Sequence, residues 1–214
     1  MRGDILIVGQ NHTNAAQEIF EMLLPDIRRK GSVFLITIAG ESGAGKSEIA
    51  LALSNLLDKN GFSSYIIQQD DYFRYPPKTN ARMREEDIRR VGPGEVRIDL
   101  INKTVASILA GEDPVEKPLV IFSEDRITTE KISFKPYSVI ILEGTYTTLV
   151  DDIDARIFID RDMDDTREDR LKRNREKQDD YLEQILLIEH EIISKHKDKA
   201  DIIINREFTA SKRA

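Results

Sequence analysis

The sequence predicts an α/β fold in which a parallel β-sheet is flanked by helices on both faces. Short apolar runs rich in β-branched residues recur along the chain, helical segments separate them, and a glycine-rich turn follows one of the runs. Buried strands that alternate with helices are typical of doubly wound parallel sheets, because each crossover helix covers one face of the sheet. The 214 residues are enough for one such domain with its own core.

The first 30 residues form a candidate extension that precedes this pattern. Residues 5–8 are apolar and predict a short strand, and apolar residues at helical spacing predict a helix over about residues 13–30. Pro25 inside this stretch predicts a kink or a split. We therefore treat residues 1–30 as an N-terminal strand–helix extension and residues 31–214 as the main domain. The extension would add to the sheet or mediate oligomerisation, and we favour a packing role.

The central strand is predicted at residues 33–39, where a near-continuous apolar run indicates burial on both faces. Glycines break this run, and a helix follows over residues 46–59, ending at Asn60 and Gly61. Further strands are predicted at residues 65–68, 139–142, 156–159 and 201–204, and further helices at 95–110, 165–177 and 180–197. Residues 74–94, rich in proline, glycine and charge, are interpreted as a functional excursion from the sheet.

The turn after the central strand matches G-x-x-x-x-G-K-[ST] in full and lies between a strand and a helix, as that motif requires. Its glycines let backbone N–H groups wrap an anion, and the helix directs its positive end at the phosphates. The lysine adds charge near the β- and γ-phosphates, and the serine offers a hydroxyl to Mg²⁺. The motif predicts a P-loop NTPase fold. Its nucleotide-binding residues are Gly40, Glu41, Ser42, Gly43, Ala44, Gly45, Lys46 and Ser47.

Composition excludes several other classes of protein. Lys and Arg total 32 against 39 Asp and Glu, a net charge of −7, which argues against a nucleic-acid binder. No cysteine is present, so disulfides and Cys-ligated metals are excluded. No apolar run approaches a membrane span, so we expect a cytoplasmic protein with no membrane or nucleic-acid partner. The three histidines are interpreted as surface or packing residues.

Two acidic residues after predicted strands favour a small-molecule kinase over a GTPase. Residues 102–105 begin like a guanine-reading motif but lack its aspartate. Asp70 follows the strand at 65–68, where the ligand crevice of such a sheet opens, and is the candidate base for an acceptor hydroxyl or a metal contact. For Asp71 beside it, a role in starting a turn is as good an explanation as a role in chemistry. Glu143 ends the strand at 139–142 and is the candidate carboxylate at Mg²⁺.

A basic helix supplies a candidate lid. Arg170 and Arg173 lie one helical turn apart and are suited to a transferring phosphoryl group, with Arg167 as a further nucleotide contact. Arg175 and Lys177 extend this Arg-rich lid. The alternative is a solvated charged helix, which the interleaved acidic residues support.

With these motifs in order, the chain resembles the uridine kinase and phosphoribulokinase group of P-loop kinases from about residue 33 to residue 205. The phosphate loop, the Q-D-D-Y-F run at 69–73, the E-G at 143–144, the D-T-R at 165–167 and the A-D-I-I-I at 200–204 carry the resemblance. It implies ATP and Mg²⁺, with Asp70 as base, Ser47, Asp70 and Glu143 at the metal, and Lys46, Arg170 and Arg173 at the phosphoryl group. It also implies a small-molecule hydroxyl acceptor and a homo-oligomer.

The sequence does not decide which acceptor substrate is used. Residues 91–97 and 118–126 lack the segments with which uridine kinases hold a nucleoside, and residues 92–95 are closer to phosphoribulokinases. Over residues 74–97, seven basic residues oppose four acidic ones, which would suit an anionic acceptor. The seven are Arg74, Lys78, Arg82, Arg84, Arg89, Arg90 and Arg97. A nucleoside is favoured by resemblance. The alternatives are a sugar or sugar phosphate, or a nucleotide-binding regulatory module with little phosphoryl transfer.

Overall fold

A computed structural model describes residues 6–173 and 179–213, without the side chains of residues 169, 172 and 173. Its main sheet has six strands in the order β2-β5-β1-β6-β7-β8. The strands are β1 (Phe34–Gly40), β2 (Ser64–Gln68), β5 (Val139–Glu143), β6 (Ala155–Ile159), β7 (Ile202–Ile204) and β8 (Ala210–Lys212). All neighbours pair in parallel except β7 and β8. The predicted parallel α/β sheet is therefore confirmed, with one antiparallel edge strand added.

The side chains of β1 show how helices cover both faces of the sheet. Phe34, Ile36 and Ile38 face one hydrophobic core, and Leu35 and Ala39 face the other. Helices α1 (Gln10–Lys30) and α2 (Lys46–Lys59) contribute to the first core, and α4 (Ile98–Leu109) and α6 (Asp180–Ile193) contribute to the second. Successive residues of a strand point to opposite faces, so a wholly apolar β1 requires two covered faces.

One expectation for the N-terminal residues is wrong, and of the kink or split expected at Pro25 the split does not occur. Residues 6–8 form no strand in the described part of the chain, and residue 5 lies outside it. Helix α1 runs through Pro25 without a split. Pro25 and Glu21, whose carbonyl loses its partner at the proline, are both exposed. Water can therefore hydrate that carbonyl, and the helix continues.

An antiparallel hairpin and a helix are present that the sequence pattern did not predict. Strands β3 (Val115–Ile121) and β4 (Arg126–Ile132) form a separate two-stranded sheet, and α3 (Pro77–Glu86) lies inside the excursion at 74–94. The predicted helix at 165–177 is described as α5 (Arg167–Arg173), and residues 174–178 lie outside the described chain. Helix α6 ends at Ile193 and is followed by a 3₁₀ segment, Ser194–Lys199.

No helix in the described ranges 6–173 and 179–213 is long and apolar enough to cross a membrane.

Helix α1 is packed into the main core rather than held apart from it. Its buried residues Ala15, Ala16, Ile19 and Phe20 belong to the same cluster as the apolar residues of β1. Glu18 Oε2 accepts the backbone N–H of Ala210 at 2.6 Å, which ties the helix to β8. The helix and the sheet therefore stabilise one another.

This packing predicts that α1 unfolds with the rest of the domain. Ile19 is fully buried, so Ile19→Ala should lower the free energy of unfolding by about 2–5 kcal/mol. Ile7→Ala, at a side chain 76% exposed, should change it by less than about 0.5 kcal/mol. Thermal and urea unfolding of both variants would measure this. A wild-type-like midpoint for Ile19→Ala would show that α1 contributes nothing to the core.

Candidate active site

The candidate site lies where three neighbouring strands end. The phosphate loop, residues 40–47, joins β1 to α2, Asp70 lies two residues after β2, and Glu143 ends β5. In the sheet register Glu143 is paired with Ile38 of β1 and with Gln68 of β2. The parallel register therefore brings the predicted acidic residues to one edge of the sheet beside the loop, where ligands bind in open α/β folds.

A hydrogen bond from the lysine of the phosphate loop connects the end of the loop to its start. Lys46 Nζ donates a hydrogen bond to the carbonyl oxygen of Glu41 at 2.8 Å, and the Ala44 N–H donates to the same oxygen at 3.1 Å. Gly45 caps α2, so the positive end of that helix opens into the loop. The arrangement suits an anion, because backbone amides, a helix terminus and an ammonium group converge there.

Glu143 is the buried carboxyl group of the site. Its side chain accepts a hydrogen bond from the Ser47 hydroxyl. Burial and the neighbouring Asp70 raise the pKa of Glu143 to about 7, although Lys46 and the Ser47 hydroxyl favour its charged form. Two carboxyl groups and a hydroxyl therefore face one another, and this set of hard oxygen donors is the kind that binds Mg²⁺.

Asp70 and Asp71 have different environments although they are adjacent. Asp70 is open to solvent at the mouth of the cleft. Desolvation of the carboxyl group by the surrounding protein raises the pKa of Asp70. The positive charge of Lys46 opposes this shift, and the nearby Asp71 adds to it. Asp71 is buried, pairs with Lys117 Nζ at 3.0 Å and accepts the Val120 N–H at 3.0 Å. Asp71 therefore holds the β3–β4 hairpin, and Asp70 is left facing the cleft.

A close contact fixes the ends of β2 and β5 relative to one another. A Cβ atom on Gly144, whose φ is +153°, would lie 2.2 Å from Cβ of Gln69. Gln69 Oε1 also accepts the backbone N–H of Tyr146 at 2.7 Å. Glycine is required at this position, because any side chain would push apart the two segments that carry Asp70 and Glu143.

The predicted lid is only partly described. Arg170 is buried, its side chain packs against Gly43 of the phosphate loop, and its Nη1 donates to the Met163 carbonyl at 2.8 Å. Arg167 is exposed. The side chain of Arg173, together with Arg175 and Lys177, lies outside the described part of the chain. Arg170 therefore lies beside the phosphate loop, and the roles of Arg170 and of the other basic residues stay predictions.

A buried ion-pair cluster near Asp70 was not anticipated. Arg84 binds Glu95 through two nitrogens at 2.6 and 2.9 Å and lies 3.8 Å from Glu189 of α6. Glu95 also accepts from the Asn80 side chain at 2.9 Å and from the Gly92 N–H at 3.0 Å. Sequence showed only a charged loop, because the partners of Arg84 are 11 and 105 residues away along the chain.

Two histidines contact the phosphate loop, and these contacts were not predicted when the histidines were interpreted as surface or packing residues. His190 of α6 lies 2.6 Å from the carboxylate of Glu41, and this hydrogen bond raises the pKa of His190. Burial raises the pKa of Glu41, and His190 opposes that shift. The ring of His12 lies against Gly45. His196 does pack as expected, buried against the Thr148 hydroxyl at 2.7 Å. No sequence motif marks the first two, since the fold alone brings them to the loop.

Comparisons with known proteins agree with this geometry. Residues 35–211 match the model of the Phosphoribulokinase / Uridine kinase family. A uridine kinase of Staphylococcus epidermidis is 30% identical over 79% of the chain and 86% of its own length. The bifunctional alpha-galactosidase/sucrose kinase AgaSK of Mediterraneibacter gnavus is 26% identical over 81% of the chain, which covers only 20% of that longer protein.

Solved structures share the fold at low identity. A fructose transport system kinase from Silicibacter superposes with a TM-score of 0.61 at 16% identity, over 90% of the chain and 96% of that structure. The phosphoribulokinase of Rhodobacter spheroides gives a TM-score of 0.61 at 14% identity, over 81% of the chain and 70% of that structure. With the family match covering most of its length, the chain belongs to the phosphoribulokinase/uridine kinase family and is a phosphotransferase that acts on hydroxyl groups.

Proposed function

We propose that the protein transfers the γ-phosphoryl group of ATP to a hydroxyl group of a neutral, polyhydroxylated acceptor, a nucleoside or a sugar. The observation that carries this proposal is the convergence of Lys46, Ser47, Asp70 and Glu143 at the ends of β1, β2 and β5. A protein that only binds a nucleotide needs the loop, but it does not need a cleft-facing carboxylate beyond the γ-phosphate.

Each group has a role in the transfer. Backbone N–H groups of the loop bind the phosphates, and Lys46 offsets charge on the γ-phosphoryl group. Asp70 orients the acceptor hydroxyl and takes its proton as the oxygen–phosphorus bond forms and the bond to the leaving ADP oxygen breaks. The raised pKa of Asp70 makes its carboxylate a better proton acceptor than an ordinary aspartate.

Ser47, Glu143 and Asp70 would hold Mg²⁺, directly or through water. The fit is supported by the two facing carboxyl groups, one of them buried, because bringing them together is unfavourable unless a cation or a proton lies between them. When bound, Mg²⁺ neutralises charge on the phosphates as the phosphoryl group transfers.

The charges around Asp70 favour a neutral acceptor over a phosphorylated one. Of the seven basic residues over 74–97, six are exposed, and Arg84 alone extends into the fold. Its guanidinium is bound by Glu95 and faces Glu189, so its charge is already offset. An acceptor phosphate placed here would meet two carboxylates, and that contact is repulsive.

Tyr146 adds a group suited to an acceptor hydroxyl. Its side chain is buried, and its phenol oxygen makes no hydrogen bond with any described residue. Burial raises the pKa of Tyr146, and Glu189, Glu95 and Arg84 are the charges that act on it. Because this oxygen is buried, we propose that it donates to an acceptor oxygen only once acceptor binding moves the cluster aside, which would give a buried hydroxyl the partner it lacks.

Asp70→Asn is predicted to lower kcat by about 10²–10⁴-fold, because the amide cannot accept the acceptor proton. The affinity for ATP should change little. Acceptor-dependent ADP release and ATP binding by calorimetry would measure both. The matched control is Asp71→Asn, which removes a partner of the buried Lys117 and should lower stability rather than the chemical step. Near-normal kcat in Asp70→Asn would contradict the assignment of the base.

Glu143→Gln is predicted to stabilise the nucleotide-free protein while lowering its Mg²⁺-dependent turnover. The pKa of Glu143 is raised in the folded state from 4.5 to about 7, so the folded state binds this proton more tightly than the unfolded state. The free energy of unfolding of the wild-type protein therefore falls as pH rises from about 4.5 to about 7, by at most about 3 kcal/mol. The increase in Tm of Glu143→Gln over the wild-type protein should therefore be larger at pH 8 than at pH 5. An equal or smaller gain at pH 8 would contradict burial of a charge here.

The acceptor class is tested by ADP release with uridine, cytidine, ribose, fructose and sucrose against ribulose 5-phosphate and fructose 6-phosphate. We expect turnover with a neutral acceptor only. Tyr146→Phe should raise the acceptor KM by about 3–10-fold and leave the ATP KM unchanged, the loss expected for one hydrogen bond. Tyr181→Phe, at a less buried tyrosine of α6 that also lies near Arg84, is the matched control. Turnover with a phosphorylated sugar alone would contradict the neutral class.

A further inference from the structure

The contact between His190 and Glu41 joins two elements that are far apart along the chain. His190 lies on α6, and its Nδ1 is 2.6 Å from Oε1 of Glu41, the second residue of the phosphate loop and 149 positions away. The side chain of Glu41 is only 7% exposed, whereas that of His190 is 43% exposed. A buried carboxylate is unfavourable without a hydrogen-bonding partner, and the ring provides one.

The phosphate-loop motif does not require an acidic residue at this position. G-x-x-x-x-G-K-[ST] fixes two glycines, the lysine and the serine, and it leaves residue 41 open. A carboxylate in a loop that binds anions repels the triphosphate. A chain with glutamate here therefore needs a compensating cation, and His190 is the group that the fold brings to it.

The backbone and the side chain of Glu41 have different partners. The Glu41 carbonyl accepts Lys46 Nζ at 2.8 Å and the Ala44 N–H at 3.1 Å, within the loop itself. The carboxylate is bound by His190, and Lys46 also attracts it electrostatically. A Glu41 carboxylate released from His190 would therefore be drawn toward the same lysine that the phosphates need.

Acidic groups from three parts of the fold act on the His190 ring. Glu41 belongs to the phosphate loop, Asp162 to the segment before α5, and Glu191 to α6 itself. Asp162 is also paired with Arg206 at 3.0 Å, which offsets part of its charge. The hydrogen bond with Glu41, aided by these charges, raises the pKa of His190, although burial opposes the shift. The protonated ring therefore persists to a higher pH than that of an ordinary histidine.

We propose that His190 is a positioning residue for the nucleotide: its protonated ring holds the Glu41 carboxylate and offsets its charge, so that this carboxylate does not compete with the phosphates for Lys46. The proposal rests on the nucleotide binding that the proposed function requires. A protonated imidazole suits this task, because a charge-assisted hydrogen bond is stronger than one between neutral groups. When the ring loses its proton, the pair carries a net negative charge beside the triphosphate, and binding weakens. The contribution of His190 to nucleotide affinity is therefore present at pH 6.5 and lost at alkaline pH.

Calorimetric titration with Mg-ATP at pH 6.5 and pH 9, without any acceptor, tests this role. His190→Asn keeps a neutral donor in place of Nδ1, and it should weaken binding by about 3–10-fold at pH 6.5 but by less than about twofold at pH 9. Asp70 and Glu143 titrate in the wild type and the variant alike, so the ratio of the two dissociation constants isolates His190. Gln184→Ala, at an exposed position of the same helix, should bind like wild type at both pH values.

Glu41→Gln provides the second arm of the test, because it removes the charge that His190 offsets. This variant should bind Mg-ATP about 3–10-fold more tightly than wild type at pH 9, where the wild-type ring is neutral. In the Glu41→Gln background, His190→Asn should change the affinity by less than about twofold at either pH, since the two effects act through one pair.

Three results would overturn the proposal: wild-type affinity of His190→Asn at both pH values, an equal loss at both pH values, or a loss that persists in the Glu41→Gln background. The second result would show that the ring acts through packing rather than charge. Because no acceptor is present, a wild-type protein that binds Mg-ATP but phosphorylates no acceptor counts against the proposed function alone.

Discussion

The crowding of acidic groups around a single lysine is the constraint on which the site depends. Glu41, Asp70 and Glu143 all interact electrostatically with Lys46, and desolvation by the surrounding protein raises the pKa of all three carboxyl groups. Such a cluster is unfavourable by itself, and a triphosphate would add further negative charge. The fold offsets this charge with backbone amides, the positive end of α2 and Lys46. The site is therefore less stable without its ligands than with them, as expected where function is built from buried charge.

The division of labour between Asp70 and Asp71 follows from the backbone after β2. The segment Gln69–Tyr72 is a 3₁₀ turn, in which successive side chains point about 120° apart. Asp71 turns inward to Lys117 and the β3–β4 hairpin, and Asp70 turns outward to the cleft. The buried pair therefore fixes the hairpin, and the side chain of Asp70 is left on the cleft side of the same turn.

The phosphate loop, the parallel sheet and the two strand-end acids were predictable, because each depends on local pattern: an apolar run, a glycine-rich turn, or an acid where a strand ends. The hairpin was not, since β4 combines three charged residues, two threonines and only two isoleucines, and has little apolar periodicity. The pairing of Arg84 with Glu95 and Glu189, and of Glu41 with His190, depends on contacts made only after folding. The strand expected at residues 5–8 failed for a related reason. A short apolar run has no strand partner unless the fold provides one.

Helix α6 and helix α1 hold the phosphate loop from two sides by different means. His190 binds the carboxylate of Glu41 at the start of the loop, and His12 meets Gly45 at its end. Neither contact blocks the backbone amides, because one engages a side chain and the other lies over a glycine. The loop is therefore held at both ends while its interior stays open to phosphate. Since α6 also brings Glu189 to Arg84, the helix that binds the loop also contacts the cluster beside the proposed acceptor site, and a shift of α6 would alter both contacts.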